Sequence, residues 1–207
     1  MTQRDDAWFA RRAGKFTASA FADLMAKTKT GPSASRTNLI ARLVCERLTG
    51  KPAESYTNAA MQRGIELEPV ARDAYAFLID DAIAEVDFID HPRIPMCGCS
   101  PDGLVGTHGL VELKCPGAGK HLDYIRTGSH AVDYKWQLQG QLWVTDREWV
   151  DVVSYHPDYP AHLQLAVVRV KRDKDAIDEL LDAVIRGNQE IEKIVEELNT
   201  IKLKEAA

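Results

Sequence analysis

No apolar run in this chain approaches the roughly 18–20 residues needed to cross a bilayer; Leu165-Ala166-Val167-Val168 is typical of the longest available. The opening residues, Met1-Thr2-Gln3-Arg4-Asp5-Asp6, lack the basic-then-apolar order of a secretory leader. Both absences point to a cytoplasmic protein with no membrane partner. Cysteine is scarce: Cys45, Cys97, Cys99 and Cys115 are all there is, and no C-x-x-C pair occurs among them. A structural zinc site is therefore not expected, and the thiols read as reduced and mostly buried. The histidines form no H-E-x-x-H or H-x-H cluster, which argues against a zinc hydrolase. Gly117-Ala118-Gly119-Lys120 lacks the rest of an ATP-binding phosphate loop, since His121 follows the lysine. There is no internal repeat and no low-complexity linker.

What remains is ordinary globular material, 45% hydrophobic and 28% charged over 207 residues, enough to bury a core. The net charge of −5 gives no hint of nucleic acid, but it is unevenly spread. Residues 1–50 hold nine Lys/Arg against four Asp/Glu, and residues 51–102 hold four against ten. The first half patterns as helices. These are Asp5–Arg12, Ala18–Lys27 with Thr17 as N-cap, Ser35–Leu48 stopped by Gly50, and Thr57–Asp80 interrupted near Pro69. Short β-like runs follow at Ala82–Ile89, Arg93–Cys97, Leu104–Gly106 and Leu110–Cys115, with a turn at Thr107-His108-Gly109. Lys120–Arg126 and Tyr134–Val144 return to helix, and Trp149–Tyr155 and Leu163–Val170 alternate as strands. The amphipathic stretch Asp173–Lys204 ends the chain, with a break expected at Gly187-Asn188. The expectation is one α/β domain over residues 1–207: a helical part to residue 81, a mixed sheet core over 82–170, and a C-terminal helix from 171.

The informative stretch is Ser100-Pro101-Asp102-Gly103 followed by Val111-Glu112-Leu113-Lys114-Cys115. Alternate side chains of a strand share a face, so Glu112 and Lys114 point one way while Val111, Leu113 and Cys115 point into the core. Two charges on an apolar strand are costly to bury unless they serve something. A turn at Pro101-Asp102-Gly103 can bring a second carboxylate to the same end of the sheet. Two carboxylates and a nearby backbone carbonyl are hard oxygen donors suited to Mg²⁺ or Mn²⁺, and an adjacent ammonium can act on a water nucleophile. A bare E-x-K also suits a solvated strand face, and Asp102 also suits an ordinary turn. P-D followed at short range by E-x-K inside an apolar strand is, however, the signature of the PD-(D/E)-x-K nucleases.

The likeness extends further. Residues 99–104 with 109–116, the run Tyr134–Thr145 containing Gln137, Gln139 and Gln141, the segment Trp8–Ser19, and Ala60–Pro69 together resemble, in order, the phage lambda exonuclease family, also described as YqaJ-type viral recombinases. That resemblance implies a restriction-endonuclease-like α/β fold with a mixed sheet flanked by helices. It also implies an exonuclease that digests linear duplex DNA from the 5′ end, releasing mononucleotides and leaving a 3′ single strand. Asp102, Glu112 and the Leu113 carbonyl would hold the catalytic metal, Lys114 would work on the water, and Glu68 would support a second ion. Gln137 matches the family's active-site glutamine. Arg12 and Ser19 match residues that grip the 5′-phosphate, with Lys27, Lys29 or Arg36 as a further basic contact. Two Mg²⁺ ions, replaceable by Mn²⁺, a homotrimer around DNA and a phage single-strand annealing protein as partner follow from the same resemblance, as does a phage or prophage origin in a bacterial host. An endonuclease, a 3′-directed nuclease or a non-catalytic DNA-binding scaffold remains open on the residues alone. On a helix Glu66 and Glu68 diverge by about 200°, so only one can face the metals. Gln137 and Gln141 share a face that Gln139 does not.

Overall fold

The computed structural model describes residues 5–29, 31–53 and 58–201. Thr57 and Lys204, the expected outer ends of two helices, lie outside the described residues, as do Met1–Arg4. The helices are α1 (Asp6–Arg12), α2 (Phe21–Met25), α3 (Ala34–Thr49), α4 (Ala59–Ile79), α5 (Ala118–Thr127), α6 (His130–Asp133), α7 (Lys135–Thr145) and α8 (Lys174–Asn199). The strands are β1 (Phe16–Thr17), β2 (Lys27–Thr28), β3 (Gly31–Pro32), β4 (Ile83–Ala84), β5 (Ile89–Asp90), β6 (Cys97–Cys99), β7 (Gly103–Val105), β8 (Gly109–Lys114), β9 (Trp149–Tyr155) and β10 (Leu165–Lys171).

A five-stranded mixed sheet in the order β10-β9-β8-β7-β4 carries the chain's centre. β8 and β9 run parallel, joined by the crossover through α5, α6 and α7, and the other pairs are antiparallel. Both faces of β8 are covered. Val111 and Leu113 pack with Val153, Tyr155 and the α4 residues Ala71 and Tyr75, while Leu110 packs with Val150, Val152 and the α7 residues Leu138 and Leu142. The period-two pattern read from the sequence thus places α4 on one side of the sheet and α7 on the other. A buried carboxylate reinforces the α4 side: Tyr75 donates to Asp151 at 2.5 Å, and the exposed Arg169 donates to both oxygens of the same carboxylate at 2.8 Å.

A second, three-stranded sheet in the order β1-β6-β5 corrects two expectations. Thr17 stands at the N-cap position of a 3₁₀ turn, Ala18–Ala20, and not of an α-helix; it lies in β1, opposite Gly98 in parallel pairing, and makes no side-chain cap bond. Pairing with β6 holds its backbone extended, so the helix begins only after a 3₁₀ turn at Ala18–Ala20. Arg93–Cys97 is not a strand either. Pro92 and Pro95 cannot donate to a ladder, and the segment bends before β6 begins at Cys97. Of Ala82–Ile89, only Ile83–Ala84 and the end at Ile89 are strand. The turn between β7 and β8 occupies residues 106–108, with Gly106 at φ 50°.

Two expected helix breaks do not occur. α4 is capped by Asn58, whose side chain accepts from the Met61 N–H at 2.9 Å, and it runs unbroken through Pro69. A proline there removes one internal hydrogen bond, and the burial of Ala71 and Tyr75 on the following turns holds the axis. α8 passes through Gly187-Asn188 because both are used in packing. A Cβ on Gly187 would stand 2.7 Å from the Phe16 ring, and buried Asn188 accepts from Arg47 at 2.5 Å and donates to the Pro95 carbonyl at 3.1 Å. α3 ends as expected at Gly50, with φ 67°, and starts slightly before the expected Ser35, capped by Ser33. All four cysteines are free thiols. Cys97 and Cys99 are buried, Cys115 is half-buried, and Cys45 is exposed, against the expectation for most of them.

Gly140 on α7 makes a close approach in the core, since a Cβ there would lie 2.2 Å from the Phe21 ring. Helix propensity favours alanine over glycine by about 1 kcal/mol at an open site. Here overpacking reverses the sign: Gly140→Ala should lose about 1–3 kcal/mol and lower Tm by roughly 2–12 °C. A thermal melt checks it, and an unchanged or higher Tm contradicts it.

Candidate active site

The site begins where β7 is too short for its neighbour. Gly103 pairs with Val111, so Leu113 lies beyond the end of β7. The Asp102 side chain takes the place of a strand there, accepting from the Leu113 N–H at 2.7 Å. The carbonyl of Asp102 accepts from Arg72 of α4 at 3.2 Å, and Arg72 also pairs with Glu68 at 2.9 Å and Glu85 at 3.0 Å. One arginine therefore fixes α4, the Pro-Asp turn and Glu68 to one another.

Glu112 is only 3% exposed. Its Oε1 accepts from Lys114 Nζ at 2.6 Å and from Gln137 Nε2 at 2.5 Å, and its Oε2 accepts from Gln141 Nε2 at 2.5 Å. Lys114 Nζ also lies 3.4 Å from Gln137 Oε1 and 4.3 Å from the centre of the Tyr134 ring. Burial pushes Asp102 well above the ordinary carboxylate range, and the negative charges of Glu112 and Glu68 push it further. Burial opposes charge on Lys114 as well, yet Glu112 and Asp102 outweigh it and hold the ammonium above its ordinary value.

Asp102, Glu112, Leu113, Lys114, Glu68 and Gln137 all line one cleft of about 590 Å³, and Arg12 and Ser19 line it too. Arg12 stacks on the Trp8 ring at 4.0 Å and donates to Ser100 Oγ at 3.1 Å and Ser19 Oγ at 3.3 Å. Trp8 Nε1 donates to the same Ser100 hydroxyl at 3.0 Å. A flat guanidinium held by an indole face and two hydroxyls suits a phosphate.

The ambiguities of spacing are resolved. Glu66 is exposed and bonded by Gln62, while Glu68 faces the cleft. Gln139 turns away from the carboxylates; it donates to the Lys171 carbonyl and accepts from the Asp173 N–H, both at 2.9 Å. Lys27 and Arg36 do not join the cleft. They border a separate cavity of about 320 Å³ beside α8, where Lys27 pairs with Glu179 at 3.4 Å and Arg36 with Glu190 at 2.7 Å. Lys29 is exposed on the β2–β3 turn. The sequence reading gave no role to Trp8, Arg72, Ser100 or Tyr134. Only the spacing of Arg72 from Glu68 (four residues along a helix) and the place of Ser100 beside Pro101 carried a signal.

The donor set fits a hard cation. Two carboxylates and the Leu113 carbonyl offer oxygen alone, without thiolate or imidazole. Among the described residues no three His, Cys, Asp or Glu side chains close on one point. Mg²⁺ tolerates this, since it is commonly held by one or two carboxylates with water and substrate oxygens completing its shell.

Comparison with known proteins agrees with this geometry. The model of the YqaJ-like viral recombinase domain matches residues 7–148. An alkaline exonuclease from Laribacter hongkongensis superposes with a TM-score of 0.87 at 45% identity, covering 94% of this chain and 96% of that one, and a structure of that enzyme in complex with dAMP matches equally. A phage-related exonuclease from Haemophilus somnus shares the fold at TM-score 0.72 and 17% identity, over 89% of this chain and 96% of that one. No curated protein matches. The fold is restriction-endonuclease-like, an α/β core with a mixed sheet flanked by helices, as expected.

The raised position of Asp102 makes a stability prediction. Without cations the folded protein keeps a proton on this carboxyl that the unfolded chain releases, so the group opposes folding increasingly as pH rises from the ordinary carboxylate range toward its folded value. Asp102→Asn keeps an acceptor for the Leu113 N–H and removes the charge. In EDTA its Tm should exceed that of the wild type by several degrees at pH 8, with the margin closing toward pH 4. A variant that melts below the wild type at pH 8 contradicts this.

Proposed function

The chain belongs to the YqaJ-like viral recombinase family, and from that premise we propose that it is a Mg²⁺-dependent exonuclease acting 5′ to 3′ on the ends of linear duplex DNA. The observation that carries the reading is one cleft lined by two chemically distinct groups of side chains. One group is Asp102, Glu112 and Lys114, and the other is Arg12, which lies over Trp8, with Ser19. An enzyme that cuts inside a strand has no need of a second phosphate site built this way. An enzyme that counts one nucleotide from a 5′-phosphate does. The alkaline exonuclease of Laribacter hongkongensis, solved with dAMP, supports a deoxynucleoside monophosphate as the product.

Asp102, Glu112 and the Leu113 carbonyl would hold one ion, with Glu68 supporting a second; Mn²⁺ suits the same oxygens. Bound there, the cation supplies positive charge against the phosphate oxygens and acidifies water. The chain's own side chains do the rest. Lys114, anchored by Glu112 and facing Tyr134, places an N–H donor where it orients the attacking water and offsets charge developing on phosphorus oxygens. Gln137 bridges Lys114 and Glu112 and keeps both aimed into the cleft. Arg12 and Ser19 hold the 5′-phosphate and so fix which bond reaches the carboxylates. The family likeness supports a homotrimer around the duplex, a 3′ tail passed to a single-strand annealing protein during phage recombination, and action in the cytoplasm of a bacterial host. No described helix is long and apolar enough to cross a membrane.

The test uses linear duplex with a 5′-phosphate or a 5′-hydroxyl, in Mg²⁺ and in EDTA. The 5′ label should leave first as mononucleotide, the phosphorylated end should be preferred, and EDTA should stop the reaction. Glu112→Gln and Lys114→Ala should each lower the rate on the order of a hundredfold or more, and Arg12→Ala should erase the preference for phosphate. Release of the 3′ label first, or cutting of covalently closed circular duplex, overturns the reading.

A further inference from the structure

Three donors hold Glu112, and they differ in access. Lys114 and Gln137 donate to Oε1 and line the cleft. Gln141 donates to Oε2 from one turn further along α7, is fully buried and does not line the cleft. It therefore cannot touch a substrate.

Plain packing does not account for a glutamine at this place. Its carboxamide oxygen is buried with no hydrogen-bond partner among the described residues. An unsatisfied buried acceptor is costly, and a leucine or methionine would fill the space without that penalty. The cost is borne for the one bond the side chain does make. A glutamate carboxylate rotates in a broad, shallow torsional well, so donors on a single oxygen leave its plane free to swing. A donor on the second oxygen, fixed to a helix, stops the rotation.

We propose that Gln141 is a positioning residue that orients the Glu112 carboxylate from behind and thereby sets the affinity of the site for a divalent cation. The inference rests on the reading of Glu112 as a cation ligand given above. Two features make Gln141 suitable. Its amide is neutral, so it fixes the carboxylate without cancelling the negative charge that a cation needs; an arginine or lysine there would compete with the ion. It also lies away from the cleft, so an arriving DNA end can draw Lys114 and Gln137 to new partners while Gln141 stays in place. Hydrogen bonds behind ligating groups of this kind are worth about 10–100-fold in metal affinity.

The experiment measures Mn²⁺ binding directly, by paramagnetic resonance of the free ion during titration of the full-length protein without DNA. Gln141→Leu removes the donor, and Gln141→Met removes it with a side chain closer in shape. Both should weaken Mn²⁺ binding about 10–100-fold. Binding of a 5′-phosphorylated duplex end in EDTA should match the wild type, and cleavage should recover toward the wild-type rate as Mg²⁺ is raised. Mn²⁺ affinity equal to the wild type in either folded variant overturns the proposal. So does a variant that loses duplex-end binding while keeping Mn²⁺, or a loss of folding in both variants, which would make Gln141 a residue of the core alone. A wild-type protein that binds no Mn²⁺ removes the metal reading of Glu112 itself, a result distinct from the others.

Discussion

Burying the Glu112 carboxyl where 3% of its surface reaches solvent requires donors from two elements, and most of the architecture near the cleft follows from supplying them. Lys114 comes from the same strand, two residues on, at no topological cost. Gln137 and Gln141 have to come from α7, which must lie close against the face of β8 that carries Glu112. The helix reaches that position through the crossover between the parallel strands β8 and β9. It is held there on its other side by the contact of Gly140 with the Phe21 ring, where no larger residue fits. Phe21 directly follows the 3₁₀ turn that carries Ser19. The burial of one carboxylate and the placement of the Ser19 hydroxyl are therefore linked through a single glycine–phenylalanine contact.

The distribution of charge along the chain turns out to be largely internal. Several basic residues that give residues 1–50 their surplus pair with acids from later segments: Arg11 with Asp87 and Asp90, Lys15 with Asp90, Lys27 with Glu179, and Arg36 with Glu190. Regional surplus in the sequence becomes neutralised surface in the fold. Arg12 bonds the Ser100 and Ser19 hydroxyls and lies over the Trp8 indole, beside the cleft. A phosphate recognised there meets a donor array already arranged, and the overall charge of −5 says little about affinity for DNA.

What the sequence disclosed was what local periodicity controls. Alternation in β8 and β9, the Gly50 stop of α3, and the pairing of Gln137 with Gln141 on one helix face were all legible, because each depends on neighbours within a few residues. What escaped it depended on distant partners. Thr17 looks like the cap of an α-helix, but the fold sets it in β1 ahead of a 3₁₀ turn, and Gly187 looks like a break until Phe16 closes on it. Arg72 reads as surface charge, and only the fold shows it binding Glu68, Glu85 and the Asp102 carbonyl. The same limit applies to Lys27 and Arg36, whose spacing after Ser19 cannot disclose that they pack toward α8.

The alternation of β8 has an implication for how such a chain tolerates length changes. Gly109, where a Cβ would stand 2.1 Å from the Trp149 ring, pins one end of the strand, and Asp102 closes the other by bonding the Leu113 N–H. Between these points, inserting or deleting one residue would rotate Glu112 and Lys114 to the α4 side and bring Val111 and Leu113 into their place. A two-residue change would keep the faces but move the charges along the sheet, away from Asp102. The turn at residues 106–108 lies outside that span and faces no such parity rule. Variation in length among relatives of this chain should therefore collect in the turn, while the stretch from Gly109 to Lys114 keeps its count.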